Sequence, residues 1–250
     1  MAVQQISYIG RGTVYLEPRG EAEAKLTPIG NISEFSISIE EDVKTMIDYM
    51  NPGGGELDRV TRITGVSASM TCYNLSPENI AVAVFGSIDA LEGGAVTDEE
   101  HTAYKGSLIV LDKLFDKSQS ITVTDETSTT TYEPNVDYEV TNAGIYILES
   151  GSITDGSTVL VSYTAYATDV IQALTELGKE YKLVFDGLNE ARSGEPVVGI
   201  FHRVKFSPTK GLGFITDDFG TLEFDLAVLA DTSISGTGIS KYFVIRRKDV

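Results

Sequence analysis

The chain has 250 residues, long enough to bury a sizeable core in one large domain or two small ones. Its 19 Lys+Arg against 37 Asp+Glu give a formal charge of −18, which argues against sequence-nonspecific nucleic-acid binding and against docking on anionic lipid, since both run on basic side chains. With 42% apolar residues, a single cysteine and no apolar run approaching the roughly 20 residues that span a bilayer, the composition predicts a soluble, folded, acidic protein without internal disulfides.

The first residues, Met1-Ala2-Val3-Gln4-Gln5-Ile6, lack the basic and apolar regions of a signal peptide, so none is expected. Gly10-Arg11-Gly12 lacks the third glycine of a dinucleotide-binding loop and opens no helix, so it reads as a turn. Phe35-Ser36-Ile37-Ser38-Ile39 and Val66-Ser67-Ala68-Ser69-Met70-Thr71 alternate apolar with small polar residues, the period of a half-buried strand. Between them, Met46-Ile47-Asp48-Tyr49-Met50-Asn51-Pro52-Gly53-Gly54-Gly55 sets apolar and aromatic residues beside a glycine run, which predicts a flexible tip. Cys72 ends the second strand and reads as a buried small hydrophobe.

Ser76-Pro77-Glu78-Asn79 predicts a helix start, with a capping hydroxyl, proline at the first position and an acid in the first turn. Ile80, Ala81, Val84 and Phe85 supply an apolar stripe, and Gly86 is the predicted terminator. Residues 102–169 read as an inserted β-rich segment in one main body formed by 1–101 and 170–250. Within the insert, Ile121-Thr122-Val123-Thr124, Val136-Asp137-Tyr138-Glu139-Val140 and Val159-Leu160-Val161-Ser162-Tyr163 alternate, and Asn142-Ala143-Gly144 marks a hairpin. A second short helix is predicted at 169–177, closed by Gly178. His202 lies in a strand where alternation places it with Ile200, Val204 and Phe206, the position of a satisfied strand histidine. Leu222-Glu223-Phe224-Asp225-Leu226 is a further alternating strand, and Arg246-Arg247-Lys248 is a basic cluster that either meets an acidic neighbour or frays.

Many short strands separated by Gly-containing turns predict a mainly β protein, two packed antiparallel sheets in a sandwich or barrel, flanked by one α-helix. No Gly-x-Ser-x-Gly elbow, His-Glu-x-x-His pair or phosphate-binding glycine loop occurs. Abundant carboxylates without a pocket to raise one pKa do not make an acid–base pair. No enzyme, cofactor or metal site is expected. The excess acid lies in the first 170 residues, and the remainder is nearly neutral.

Four stretches together resemble the major tail tube protein of long-tailed (siphovirus-like) bacteriophages. They are Gly10-Arg11-Gly12-Thr13-Val14-Tyr15-Leu16 leading to Pro28-Ile29-Gly30-Asn31-Ile32 and Phe35–Glu40; Ser76–Ala81 running to Phe85-Gly86; Glu180-Tyr181-Lys182-Leu183-Val184-Phe185-Asp186-Gly187-Leu188-Asn189; and Arg203–Pro208 with Asp217-Asp218-Phe219-Gly220 and Val228–Asp231. Their order and spacing carry the likeness, over 1–100 and 170–250. The resemblance implies a virion structural protein that forms hexameric rings. The rings stack into a hollow tube that conducts the genome during ejection and houses a tape measure protein. Tail terminator and distal tail proteins are implied partners, with assembly in the host cytoplasm, residence in the virion tail and no membrane anchoring. The inserted segment would then lie on the tube exterior.

An acidic bore repels a duplex evenly from all sides, where a basic one would hold it. The strand faces suited to line such a bore are Glu34, Ser36, Ser38 and Glu40; Ser67, Ser69 and Thr71; and Glu223 with Asp225. The resemblance implies that the loop holding Met46, Tyr49, Met50, Gly53, Gly54 and Gly55 reaches a neighbouring subunit or ring. Alternatives are another tail ring or terminator, a secretion-tube subunit of related fold, and a monomeric β-sandwich adhesion or carbohydrate-binding module working through the Thr-rich insert.

Overall fold

The computed structural model describes residues 5–248. In chain order the first elements are β1 (Gly10–Pro18), β2 (Thr27–Pro28), β3 (Ile32–Ile47), β4 (Glu56–Cys72) and helix α1 (Pro77–Val84). A connecting strand, β5 (Ser87–Leu91), leads to β6 (Gly94–Ala103), β7 (Leu108–Val110), β8 (Thr122–Asp125), β9 (Thr131–Tyr132), β10 (Tyr138–Val140), β11 (Gly144–Ile147) and β12 (Ser157–Ala165). A second connecting strand, β13 (Thr168–Gln172), returns the chain to β14 (Glu180–Asn189), β15 (Glu195–Phe206), β16 (Leu222–Val228) and β17 (Phe243–Arg247). The protein is mainly β, with antiparallel sheets and one α-helix among the described residues.

Two compact units result, one of Met1–Ile88 with Ile171–Val250 and one of Asp89–Val170. The insert therefore starts earlier than residue 102. β6 pairs with β12 from Gly94↔Ala165 to Ala103↔Ser157, so residues 94–101 complete the inserted sheet and leave the main body.

The main sheet has the order β2-β1-β14-β15-β16-β4-β3, with β17 added on β15. It curls until β3, at one end, faces β14 and β15 across one core. Phe35 of β3 meets Phe185 of β14 at 6.2 Å between ring centroids and Phe201 of β15 at 5.5 Å, edge to face. Leu183, Val204 and Leu222 are wholly buried between these layers. Each such side chain contributes about 1.5–3 kcal/mol relative to exposure.

Gly10-Arg11-Gly12 is not a turn. It opens β1, where Gly12 stands opposite Gly187 and the Phe185 ring lies over the pair, occupying the space that two Cβ atoms would take. The alternation of β15 is also broken. His202 and Arg203 together oppose Lys182 of β14, a bulge that puts both Phe201 and Val204 into the core. His202 consequently leaves the face of Val204 and Phe206, and its Nε2 is buried without a hydrogen-bond partner.

Helix α1 starts as its residues dictate: the Ser76 hydroxyl accepts from the Asn79 N–H at 3.3 Å, with Pro77 in the first turn. Its end differs from expectation. Phe85, not Gly86, adopts the left-handed conformation (φ 53°), and the Gly86 N–H closes on the Ala81 carbonyl at 2.8 Å. Ala83 packs fully buried on the main core, with Ile80, Val82 and Phe85 partly covered. Buried Asn79 donates to the carbonyls of Ile29 at 2.7 Å and Asn74 at 2.8 Å, tying helix to sheet. The second expected helix is absent: 168–172 is strand β13, and the following turn is held by Leu174 N–H to Val84 O at 3.0 Å and Glu176 N–H to Phe85 O at 2.9 Å. The β-branched pair Val170-Ile171 favours strand over helix there.

The inserted unit stacks sheet β10-β11-β7 and sheet β6-β12-β8-β9 around a second core that includes Val123, Ile145, Val159 and Val161, all wholly buried. Its loops are fastened by Asp137, which accepts from the N–H of Glu133 at 2.9 Å and from the N–H and hydroxyl of Ser152 at 2.7 and 2.8 Å.

Candidate assembly surface

The layer β16-β4-β3 aligns its residues in rows. Glu34 stands opposite Thr71, which stands opposite Glu223; Ser36 opposite Ser69 and Asp225; Ser38 opposite Ser67 and Ala227; Glu40 opposite Gly65. The intervening rows are Phe35, Met70, Phe224 and Ile37, Ala68, Leu226, which point into the core. Strand pleat alone separates the two sets, because the register is unbroken from Glu34 to Glu40. All nine polar residues picked from the sequence therefore share one face of one three-stranded layer. The face is half-buried to exposed, and the Ser36 and Ser69 hydroxyls meet across it at 2.9 Å. A shallow depression of about 390 Å³ lies on it, lined by Ser38, Ser67, Ser69 and Asp225, with Ser207 at the side.

Two cations on this face escaped the sequence reading. Lys205, opposite Ala227, is placed there by the pairing of β15 with β16. Lys210 reaches Asp225 at 2.6 Å, and that hydrogen bond raises the lysine's pKa. Four carboxylates thus share the face with two ammonium groups, and the surface is acidic but not uniformly so. Lys210 stands in a loop, where no periodicity could have assigned it to a face.

β3 ends the sheet. Its 16 residues offer one side of the backbone to β4 and leave the other open. An edge this long is a template for a further strand.

Beyond the core, residues 41–47 of β3 and 56–63 of β4 pair only with each other and form an arm exposed on both faces. Met46, Ile47, Leu57, Val60 and Ile63 are all exposed along it. A two-stranded ribbon with no further strand or helix against it is marginal in water. At its tip Tyr49 is 88% and Met50 80% exposed. The tip is a hydrogen-bonded turn. The Asp48 carboxylate accepts from the side chain of Asn51 at 2.6 Å and from the Met50 N–H at 2.8 Å, and these bonds lower its pKa. The Asp48 N–H meets the Gly55 carbonyl at 2.8 Å. Gly53 takes φ +84°, and a Cβ on Gly54 would overlap the Asp48 carbonyl oxygen. Gly55 faces open space. The glycines hold a shaped turn that presents Tyr49 and Met50 to solvent, while Met46 lies below them on the arm.

Elsewhere the titratable groups serve the fold. In the inserted unit burial opposes ionisation of Glu99, but donors from Tyr163 at 2.5 Å, the Asp112 N–H at 3.0 Å and His101 at 2.6 Å outweigh it and hold the carboxyl below its usual range. Burial pushes the Cys72 thiol up, consistent with a packed small side chain. The basic cluster is not frayed at Arg246 and Arg247, which lie in β17 opposite Val198 and Val197. Among the described residues no three His, Cys, Asp or Glu side chains converge to hold a metal ion, and no helix is long and apolar enough to cross a membrane.

A family model described as protein of unknown function UCP028589 matches residues 7–246. No curated protein matches the chain.

Proposed function

We propose that this chain, which belongs to the family described as protein of unknown function UCP028589, is a virion structural subunit whose rings of six stack into a hollow tail tube. The genome passes through the tube on its way into the host, and the tape measure protein occupies it beforehand. The role is mechanical, with no catalytic step and no cofactor, and the tail terminator and distal tail proteins cap the two ends.

The observation that carries this reading is the layer β16-β4-β3. One face is a continuous polar surface bearing Glu34, Glu40, Glu223 and Asp225, the other face is core, and the layer stops at a 16-residue open edge. Copies joined edge to edge extend such a layer, and closure into a barrel removes the exposed edge. A duplex carrying one charge per about 1.7 Å of axis then meets a hydroxyl-rich wall on which four carboxylates of each copy outnumber the ammonium groups of Lys205 and Lys210. Screening confines the repulsion to about 8 Å at physiological salt, so the charges act only from the wall itself. The exposed arm, with Met46, Tyr49 and Met50 uncovered, supplies the reach to a neighbouring copy.

Negative-stain microscopy of the concentrated protein tests the reading. Tubes or six-fold rings with a central channel are expected. Featureless monomers at the highest attainable concentration overturn it, and isolated closed rings that never stack point to a terminator or other tail ring.

A further inference from the structure

We infer that the loop 209–220 between β15 and β16 is a plug that seats in an apolar groove on a second copy of this chain; the inference deepens the self-assembly proposed above and rests on it. The loop presents Phe214, Ile215 and Phe219 at 91%, 97% and 89% exposure, so these three side chains touch almost nothing within their own chain. They are nevertheless carried on a fastened base. The Thr209 N–H donates to the Ala83 carbonyl at 2.8 Å, the Thr209 hydroxyl to the Gly211 carbonyl at 2.9 Å, the Thr216 hydroxyl to the Asp218 carbonyl at 2.7 Å, and Leu212 packs on the main core. Three apolar side chains held out within six residues of one fastened loop are what a partner buries as anchors.

The same body contains a groove of matching character. It measures about 530 Å³ and opens between β1, β3, β14, β15 and β17, with Val14, Ile32, Phe35, Phe185, Phe201 and Ile245 on its walls. That volume is within the range in which clefts of roughly 300–1,000 Å³ bury a compact apolar group. A second cavity of about 670 Å³ beside helix α1 is also partly apolar, and charge decides between them. Glu21, Glu78 and Glu176 line the cavity beside α1 against the single cation Lys179, which is shared between Glu176 and Glu21. The groove instead carries Arg11, with Arg247 two residues from Ile245 and so on the same side of β17, against Glu34 and against Glu190, which pairs with Arg11 at 3.2 Å. The plug brings Asp217 and Asp218 beside its apolar residues. Two further carboxylates are repelled by the acidic cavity and accepted by the groove bordered by guanidinium groups. Used head to tail, and not reciprocally about a two-fold axis, the contact adds copies in one direction, as a ring or a stack requires.

Phe214→Cys on the plug and Val197→Cys on the groove wall, prepared separately and mixed under copper–phenanthroline oxidation, test the contact; buried Cys72 remains in both. A disulfide joining one chain of each variant, identified from the linked peptides by mass spectrometry, and a covalent ladder from the double variant are expected. No cross-link at concentrations where the wild type assembles overturns the inference, as does a cross-link within a monomer of the double variant, which places the loop in its own groove. Phe214→Ser with Phe219→Ser should weaken association about ten-fold or more at unchanged thermal stability. Unchanged association would refute the plug. Tubes without the cross-link sink the plug and leave the tube reading intact; cross-linked chains that form no ring or tube do the reverse.

Discussion

Replacing Gly187 by alanine should loosen the main body through one ring. A Cβ at Gly187 would fall on the Phe185 ring and within 2.8 Å of the Arg11 carbonyl oxygen. Phe185 must then swing away from the β1–β14 ladder and from Phe35, its neighbour at 6.2 Å. Phe185 is half-buried, so loss of part of its burial removes about 1 kcal/mol, and residual overpacking adds about 1 kcal/mol, so a total of about 2 kcal/mol is expected. For a body of this size that corresponds to a fall of about 4–8 °C in Tm. Phe185→Leu alone should cost about 1–1.5 kcal/mol. In the double variant the smaller side chain leaves room for the new methyl, so the two changes should couple favourably by about 1–2 kcal/mol. Gly12→Ala provides the contrast: its Cβ would run into the backbone at Asp186 and Gly187 as well as Phe185, so Phe185→Leu should not rescue it. Urea and thermal unfolding of the wild type and the five variants measure these terms. Gly187→Ala within about 0.5 kcal/mol of wild type, or strict additivity with Phe185→Leu, would refute the account of why glycines face each other there.

Three further outcomes follow from the same structure. Tyr49→Ala with Met50→Ala should leave the melting of the isolated chain unchanged, because both side chains are exposed, yet shorten or abolish tubes in electron micrographs; normal tube length would remove them as anchors. Glu34→Lys, Glu40→Lys and Glu223→Lys together should permit assembly but slow DNA delivery in an ejection assay, and unimpaired delivery would sink electrostatic repulsion as the role of that face. Acid should destabilise both units. The Glu133 and Ser152 N–H groups hold Asp137 below its usual range, and the Ser233 hydroxyl and N–H with Arg19 hold Asp231 at about 2. Depressed carboxyls stabilise the fold fully above the unfolded value of 3.8 and lose that contribution as pH falls toward the folded value. Melting temperatures should therefore drop between about pH 4 and pH 2, and Asp137→Asn should flatten the dependence in the inserted unit.

The alternating runs Phe35–Ile39, Val66–Thr71 and Leu222–Leu226 were readable because a strand's two faces are set by residue parity, a property of the chain alone. Parity also sorted Glu34, Ser36, Ser38 and Glu40 from Phe35 and Ile37 before any pairing was known. The same logic misplaced His202, since a bulge is decided by the partner strand, and it misread Gly12, whose purpose is visible only with Phe185 above it. The run 169–177 looked helical from its polar and apolar spacing, but its backbone is taken by the end of α1 and by a short strand. At the tip of the arm the glycines signalled a turn, while its shape depends on Asp48 accepting from Asn51 and Met50.

What the sequence determined by itself is the β class, the capped helix that starts after Ser76, the two faces of β3, β4 and β16 and the acidic balance, all of which follow from neighbours a few positions apart. Only the tertiary structure decided that β3, β4 and β16 lie side by side, that Lys205 and Lys210 join their carboxylates, that β6 belongs to the insert, and that Phe214, Ile215 and Phe219 are left bare. Those facts depend on contacts between segments far apart in the chain, where packing and pairing choose among arrangements that local pattern leaves equal.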